Sequence, residues 1–444
     1  LILVLENRKI DFSIPLPVTE SFLHYLWQFQ YFSKRTLQTT RGEDIQIFNP
    51  GYRNSDAGPD FFDARIRIGD MVWVGSVEIH ILAAGWMEHE HDKDEAYENV
   101  VLHVVWNNNK PAQRNDGSWL PTLELKNRVE EKLLLNYKRL INNPESIPCA
   151  SKLKQVSQLI KISMADRVVI DRLEAKARIV MKMHQRNQQS WEETFYQLLA
   201  RNFGFKVNND PFQQLAQCIP YRYLLKHGDN LMQMEALLFG QAGFLEESLD
   251  DSYYVLLQRE YKILSQKYQL TQRKLKKIQW RFLRLRPANF PTVRIAQLAA
   301  VLHHGRSLFS SVLEMNSNTL YDFFSVGLSP YWMRHYQFGK EYSKPKNSLG
   351  RSSIDNIIIN TVAPLLVAYG KSKDDQGFVD RAVAILQTIP AESNRITRQW
   401  KTLGVSVKTG FDSQAMVELF NSFCLKRRCL DCNIGASLVN PNPK

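Results

Sequence analysis

Gly58-Pro59-Asp60-Phe61-Phe62-Asp63-Ala64-Arg65-Ile66-Arg67-Ile68-Gly69-Asp70, followed by a run from Met71 to Leu82 that holds Val77-Glu78-Ile79-His80, is the stretch that decides the fold. Ala64, Ile66 and Ile68 alternate with Asp63, Arg65 and Arg67, which is the period of a half-buried strand. Gly69-Asp70 is a hairpin turn, so the run from Met71 returns beside the first as a second strand. Alternate residues of a strand point the same way, so Val74, Ser76, Glu78 and His80 share a face. The hairpin carries Asp60, at the mouth of the first strand, towards Glu78.

Upstream, Asn49 to Pro59 is dense in turn formers and serves to position Asp60. Before it, Gly42-Glu43-Asp44 reads as a turn and Ile45 and Ile47 as one face of a strand. Thr19 is a helix cap, and Phe22, Leu23, Leu26 and Trp27 follow at helical spacing, with Glu20 and His24 one turn apart on a shared face. Residues 1 to 18, ending in Pro15 and Pro17, read as an arm or edge strand. Downstream, residues 85 to 99 read as a loop entering a short helix, Val100 to Trp106 as a buried strand and Leu120 to Leu125 as another. The order αβββαβ predicts an α+β domain over residues 1 to 125. From 126 to 420 the pattern is helical, with Val169, Leu173, Ala177 and Val180 as one stripe, Tyr253, Leu257, Tyr261 and Leu264 as another, and prolines 211, 287, 291 and 330 at helix ends. Residues 340 to 351 read as a mobile loop, and 421 to 444 as a cysteine-containing tail.

Composition narrows the class. A 44% hydrophobic and 23% charged chain of 444 residues has the material for two or three cores. No apolar run approaches the length of a membrane span, so no membrane partner is expected. Leu1 to Leu5 is too short, and lacks the basic flank, for a secretory signal, which makes the cytoplasm the expected location. Charge is uneven along the chain: residues 1 to 125 carry 11 Lys and Arg against 18 Asp and Glu, whereas the remainder carries a net +19. An acidic module joined to a basic one suits an enzyme that holds a divalent cation in one place and a polyanion in another.

Pro59-Asp60 followed by Glu78-Ile79-His80, in the order αβββαβ, resembles the PD-(D/E)xK nuclease superfamily over residues 19 to 125. The longer string GPDFFDARIRIG, WVGSVEIHI and HEHDKDEAYENVVLHVV is similar to an uncharacterised bacterial family, a domain of unknown function, over most of the chain. The nuclease resemblance implies a restriction-endonuclease-like mixed sheet and a Mg²⁺- or Mn²⁺-dependent attack of water on DNA or RNA. It also implies Asp60 and Glu78 as metal ligands, the Ile79 carbonyl as a third and Glu20 as a fourth. His80 stands where that superfamily usually has lysine. An imidazole can orient or deprotonate the water but does not hold a permanent charge.

Other uses of the same residue types stay open. His80, His89 and His91, with Asp92 or Asp94, have the chemistry of a zinc hydrolase centre, with His24 and Tyr97 as further pocket residues and His103 as a core histidine. A non-catalytic nucleic-acid binder on a degenerate nuclease fold is the other alternative. Cys424, Cys429 and Cys432 need a fourth ligand, Cys149 or Cys218, to hold zinc or an iron–sulfur cluster. Arg273, Lys274, Lys276, Lys277, Arg281, Arg284, Arg286 and Arg294, interleaved with Trp280, Phe282 and Phe290 and with no acid between them, have the ingredients of a nucleic-acid contact. The plainer alternative for that segment is an amphipathic helix with a solvated basic face.

Overall fold

The alternation between Phe61 and Ile68 is realised as a strand whose exposed residues, from Phe62 to Arg67, interleave with buried Phe61, Ala64, Ile66 and Ile68. The computed structural model describes residues 18–54, 56–305, 307–345 and 348–440, so the arm expected over residues 1 to 18 lies, but for Val18, outside the described residues, as do Lys346 and Asn347 of the expected loop. The chain divides into two compact units, one running to Met164 and taking in the segment from Asn421, the other spanning Ala165–Phe420. This differs from a break at residue 125 and a separate tail: the helices after the sheet, and the C-terminal segment, pack on the sheet unit.

In the first unit, helix α1 (Glu20–Phe29) begins at Thr19, whose side chain accepts from the Phe22 N–H at 3.3 Å. Its apolar stripe, Phe22, Leu23, Leu26 and Trp27, is fully buried, and the helix ends where Gln30 turns into the left-handed region. Strands β1 (Ile45–Asn49), β2 (Tyr52–Arg53), β3 (Phe61–Ile68) and β4 (Met71–Leu82) follow. β3 pairs antiparallel with β1, β2 and β4, and the β3–β4 register sets Phe61 opposite Val77. Helix α2 (Gly85–Glu88) and a short 3-10 turn occupy the crossover to β5 (Val100–Asn107), which lies parallel to β4; β6 (Thr122–Glu124) lies parallel to β5. The first unit is therefore a mixed sheet in the order β1-β3-β4-β5-β6. β4 is buried from Gly75 to His80 because it is flanked on both edges there and α1 packs on it. Helix α3 (Glu131–Ile141) stacks Tyr137 on Phe22 at 4.3 Å and packs against the C-terminal helix Asn433–Val439.

Among its described residues the second unit is mostly helical, with a two-stranded ribbon, His335–Gln337 with Lys340–Glu341. Val169, Leu173, Ala177 and Val180 are buried as their spacing predicts, and Pro291 and Pro330 each open a helix. One continuous helical stretch, Arg351–Lys373, is long and apolar enough by composition to cross a membrane, contrary to the expectation that no run is. Its apolar window is 72% buried inside the protein, as for a core helix.

Candidate metal centre

Antiparallel pairing of β3 with β4 leaves Asp60 one residue beyond the last ladder pair, beside Glu78. Two hydrogen bonds lock this corner: the Asp60 N–H donates to Glu78 Oε2 at 3.1 Å, and the Ile79 N–H donates to Asp60 Oδ2 at 3.0 Å. The Asp60 side chain thus continues the ladder where β3 stops, and Ile79 takes part through its N–H. Glu78 is buried, whereas Asp60 is partly open. Burial first, then the charge of Asp60 and more weakly that of Glu20, push the Glu78 carboxyl up to about 9. Glu20 therefore acts on the site electrostatically from the exposed first turn of α1. His24, one turn further on, brings Nε2 to 3.1 Å from Asp60 Oδ2 without the alignment of a hydrogen bond, and both its ring nitrogens are buried with no hydrogen-bond partner.

The crossover folds back so that its histidines meet β4. His80 Nε2 stands 3.2 Å from His89 Nδ1, and His80 Nδ1 stands 2.9 Å from Nε2 of fully buried His103 on β5. Donor atoms of His80, His89 and His91 all lie within 4.8 Å of one another. Glu78 Oε1 faces the same spot, 3.5 Å from His91 Nε2 and 3.8 Å from His80 Nε2. Those gaps exceed good hydrogen bonds, but two donor atoms at about 2.1 Å from one tetrahedral ion stand roughly 3.4 Å apart. Burial, then His91 and His89, hold His80 down at about 4; burial, then His89, lowers His91. His80 and His91 are therefore held as neutral imidazoles near pH 7, the form that offers a lone pair to a metal. A metal held on His80 Nε2 would keep the ring proton on Nδ1, which faces His103 Nε2 at 2.9 Å, the second partner that ligating histidines require.

A cleft of about 390 Å³ opens beside His91, lined by Trp86, Asp92, Asp94, Tyr97 and Arg114. Tyr97 stacks on His91 at 3.8 Å, and its hydroxyl is pushed up to about 12 by burial and by Glu78 and Asp60. Two site residues escaped sequence reading. Gly85 has room for no side chain, since a Cβ there would lie 2.8 Å from the His80 ring, and Trp86 packs edge-on to His91 at 5.6 Å while its N–H donates to the Gln113 carbonyl. A Gly-Trp pair directly after the second strand was the available signal.

The basic segment departs from expectation in its form. It is a chain of short 3-10 turns, because Pro287 and Pro291 and the left-handed Arg284 break any long helix. Arg273, Lys276, Arg281, Arg284 and Arg286 are exposed, whereas Lys274 and Lys277 pair with Glu246 and Glu247. Arg294 is turned inward, with its guanidinium 4.3 Å over the Phe205 ring and bonded to Gln297, Asn289 and Ser353, so it does not join the exposed cations of the segment. Trp280 is likewise buried, donating to the Ala242 carbonyl.

A family model described as protein of unknown function (DUF2851) matches residues 20–395, which spans the sheet, the candidate centre and most of the helical unit. Comparison with curated proteins and with solved structures finds no match, so neither reaches a nuclease.

Proposed function

We propose that this chain, which belongs to the DUF2851 family, is a divalent-metal-dependent hydrolase of phosphodiesters, with nucleic acid as the substrate class. The observation that carries the reading is the convergence of His80, His89, His91 and Glu78 on one spot at the mouth of the β3–β4 hairpin. Three imidazoles and a carboxylate favour a borderline ion, Zn²⁺ or Mn²⁺, over the Mg²⁺ that an all-oxygen set would select. Such an ion, when bound, supplies positive charge to a phosphate and acidity to a water.

The residues of the chain do the rest. Glu78, with its proton released to solvent, would hold the ion together with His80, His89 and His91. Asp60 fixes Glu78 and Ile79 through its two hydrogen bonds, and His24 Nε2, 3.1 Å from the partly open Asp60 carboxylate, can exchange a proton with it. His103 orients His80. Support for a phosphodiester comes from the position of Asp60 at the mouth of β3 beside Glu78 on β4, the layout that the PD-(D/E)xK resemblance implies, and from the exposed cations between Arg273 and Arg286.

The ligand set also favours a second reading, a zinc hydrolase of another substrate class. Zn²⁺- or Mn²⁺-loaded protein assayed on single- and double-stranded DNA and RNA and on a small chromogenic phosphodiester separates the two. Cleavage that disappears in Asp60→Ala and His89→Ala supports phosphodiester hydrolysis. A protein that keeps its metal yet cleaves no phosphodiester rejects it.

A further inference from the structure

Three helices of the second unit begin at one cavity of about 290 Å³. It is lined by Asn208 and Phe212 at the start of Asn209–Cys218, by Pro291 and Arg294 at the start of Pro291–His304, and by Ser352 and Ser353 at the start of the long helix Arg351–Lys373. None of the three is closed by the side chain before it. The Asn208 side chain is engaged with the Arg281 backbone, accepting from its N–H at 2.9 Å and donating to its carbonyl at 3.0 Å. Phe290 has no polar group to offer, and Gly350 has no side chain. A helix start presents N–H groups that have no partner within the helix and carries partial positive charge, so anions are held there. The one acid in the three first turns, Asp210, is exposed and stands 3.6 Å from Arg201.

Arg294 is an independent sign of an anion. It is only 4% exposed, and its guanidinium bonds to neutral oxygens, Gln297 Oε1, Asn289 Oδ1 and Ser353 Oγ, while its Nε is buried with no hydrogen-bond partner. Burial pulls its pKa down to about 10, which leaves it charged at neutral pH. None of the described residues lining the cavity is acidic. A buried cation is costly unless an opposite charge meets it, and the cavity wall supplies none.

We propose that this cavity is a binding site for a phosphomonoester, with the phosphate at the three helix starts beside Arg294 and the rest of the ligand against the apolar wall of Phe203, Val207 and Leu285. Charge decides for phosphate over carboxylate. Each helix start carries roughly half an elementary charge, so the three together with Arg294 present about +2.5. A singly charged carboxylate leaves most of that uncovered, whereas a phosphomonoester carries about −1.5 to −2 near neutral pH. Size limits the remainder: small-molecule pockets run to roughly 300–1,000 Å³, and this one lies at the small end, so it takes a compact molecule or the end of a chain. The phosphate can belong to a free small compound or to the terminus of a nucleic-acid strand, and both bring the same group to Arg294.

Full-length protein, kept in chelator so that the histidine centre holds no metal, is titrated calorimetrically with phenyl phosphate, inorganic phosphate and benzoate. Phenyl phosphate should bind once per chain and at least tenfold more tightly than benzoate. Ser352→Glu sets a carboxylate at the wall from an exposed position and should weaken phenyl phosphate at least tenfold, as should Arg294→Gln, whereas Arg273→Ala, an exposed cation outside the lining, should stay within twofold. A 5′-phosphorylated oligonucleotide compared with its 5′-hydroxyl form separates the sources: a tenfold preference for the phosphorylated strand assigns the site to strand ends, and equal binding beside tight phenyl phosphate assigns it to a free compound. No saturable binding of either phosphate probe, benzoate binding as tightly as phenyl phosphate, or a folded Ser352→Glu protein that binds undiminished overturns the proposal. If Arg294→Gln fails to fold, Ser352→Glu still decides. The result is independent of phosphodiester cleavage, since no metal is present and no lining residue belongs to the histidine centre.

Discussion

Replacing Glu78 by glutamine keeps the shape of the protonated side chain, including an acceptor for the Asp60 N–H, and removes the charge. The carboxyl titrates at about 9 in the metal-free fold and at about 4.5 ordinarily, so between those values the folded protein holds a proton that the unfolded chain has lost. Stability of the metal-free protein therefore falls as pH rises through that window. At pH 8 the pKa difference sets an upper bound of about 5 kcal/mol, and relaxation with water entry brings the expected penalty to about 2 kcal/mol. Glu78→Gln escapes it. With chelator at pH 8 the variant should melt higher than the parent, by roughly 4–8 °C for a unit of this size, and at pH 4.5 the two should melt together. Zinc should reverse the order: at about 100 times the Kd it stabilises the parent by about 2.7 kcal/mol and the variant hardly at all. Thermal unfolding followed by circular dichroism, with and without metal at both pH values, reads all four states. Equal melting of both proteins at every pH, with equal shifts on adding zinc, would refute the buried-carboxylate ligand.

Other consequences are more local. Because Glu78 is protonated near neutral pH until a cation arrives, metal binding at pH 7.5 should release about one proton, seen as a binding enthalpy that varies with the ionisation enthalpy of the buffer. Gly85→Ala pushes a methyl against the His80 ring and should cost about 1–3 kcal/mol by overpacking, together with a marked loss of metal affinity measured by competition with a chelating dye. His24→Ala should lower turnover while leaving the metal content intact, because the imidazole contacts Asp60 and none of the proposed ligands. Arg294→Ala should destabilise the helical unit by about 3 kcal/mol in urea unfolding, whereas Arg281→Ala and Arg284→Ala should stay within about 0.5 kcal/mol and show their effect in salt-dependent binding to nucleic acid.

Features governed by nearest neighbours in the chain were legible in the sequence. The Thr19 cap, the period-two faces of β3 and β4 and the turn at Gly69-Asp70 follow from local geometry, and they suffice to set Asp60 beside Glu78. The histidines were legible as a candidate set, but not their geometry. His89 and His91 reach His80 only because the crossover between parallel strands folds back over β4, and a loop path has no periodicity to read. His103 looked like a core residue because its strand is apolar throughout; it is buried and bonded to His80 as well, and burial alone cannot tell the two roles apart. Arg294 carried the same charge as its exposed neighbours in sequence, and only the helix starting at Pro291 turns it inward. That the C-terminal helix packs against α3, nearly three hundred residues earlier in the chain, was likewise not legible, because no local pattern encodes so distant a contact.

X-ray absorption at the zinc edge, on full-length protein loaded with one equivalent of Zn²⁺, tests the histidine–carboxylate centre most directly. The expected spectrum shows nitrogen and oxygen neighbours at about 2.0–2.1 Å with the outer-shell pattern of several imidazoles, and it is lost in His91→Ala and Glu78→Gln. Zinc surrounded by sulfur alone at about 2.3 Å, or a spectrum unchanged by either substitution, would contradict it.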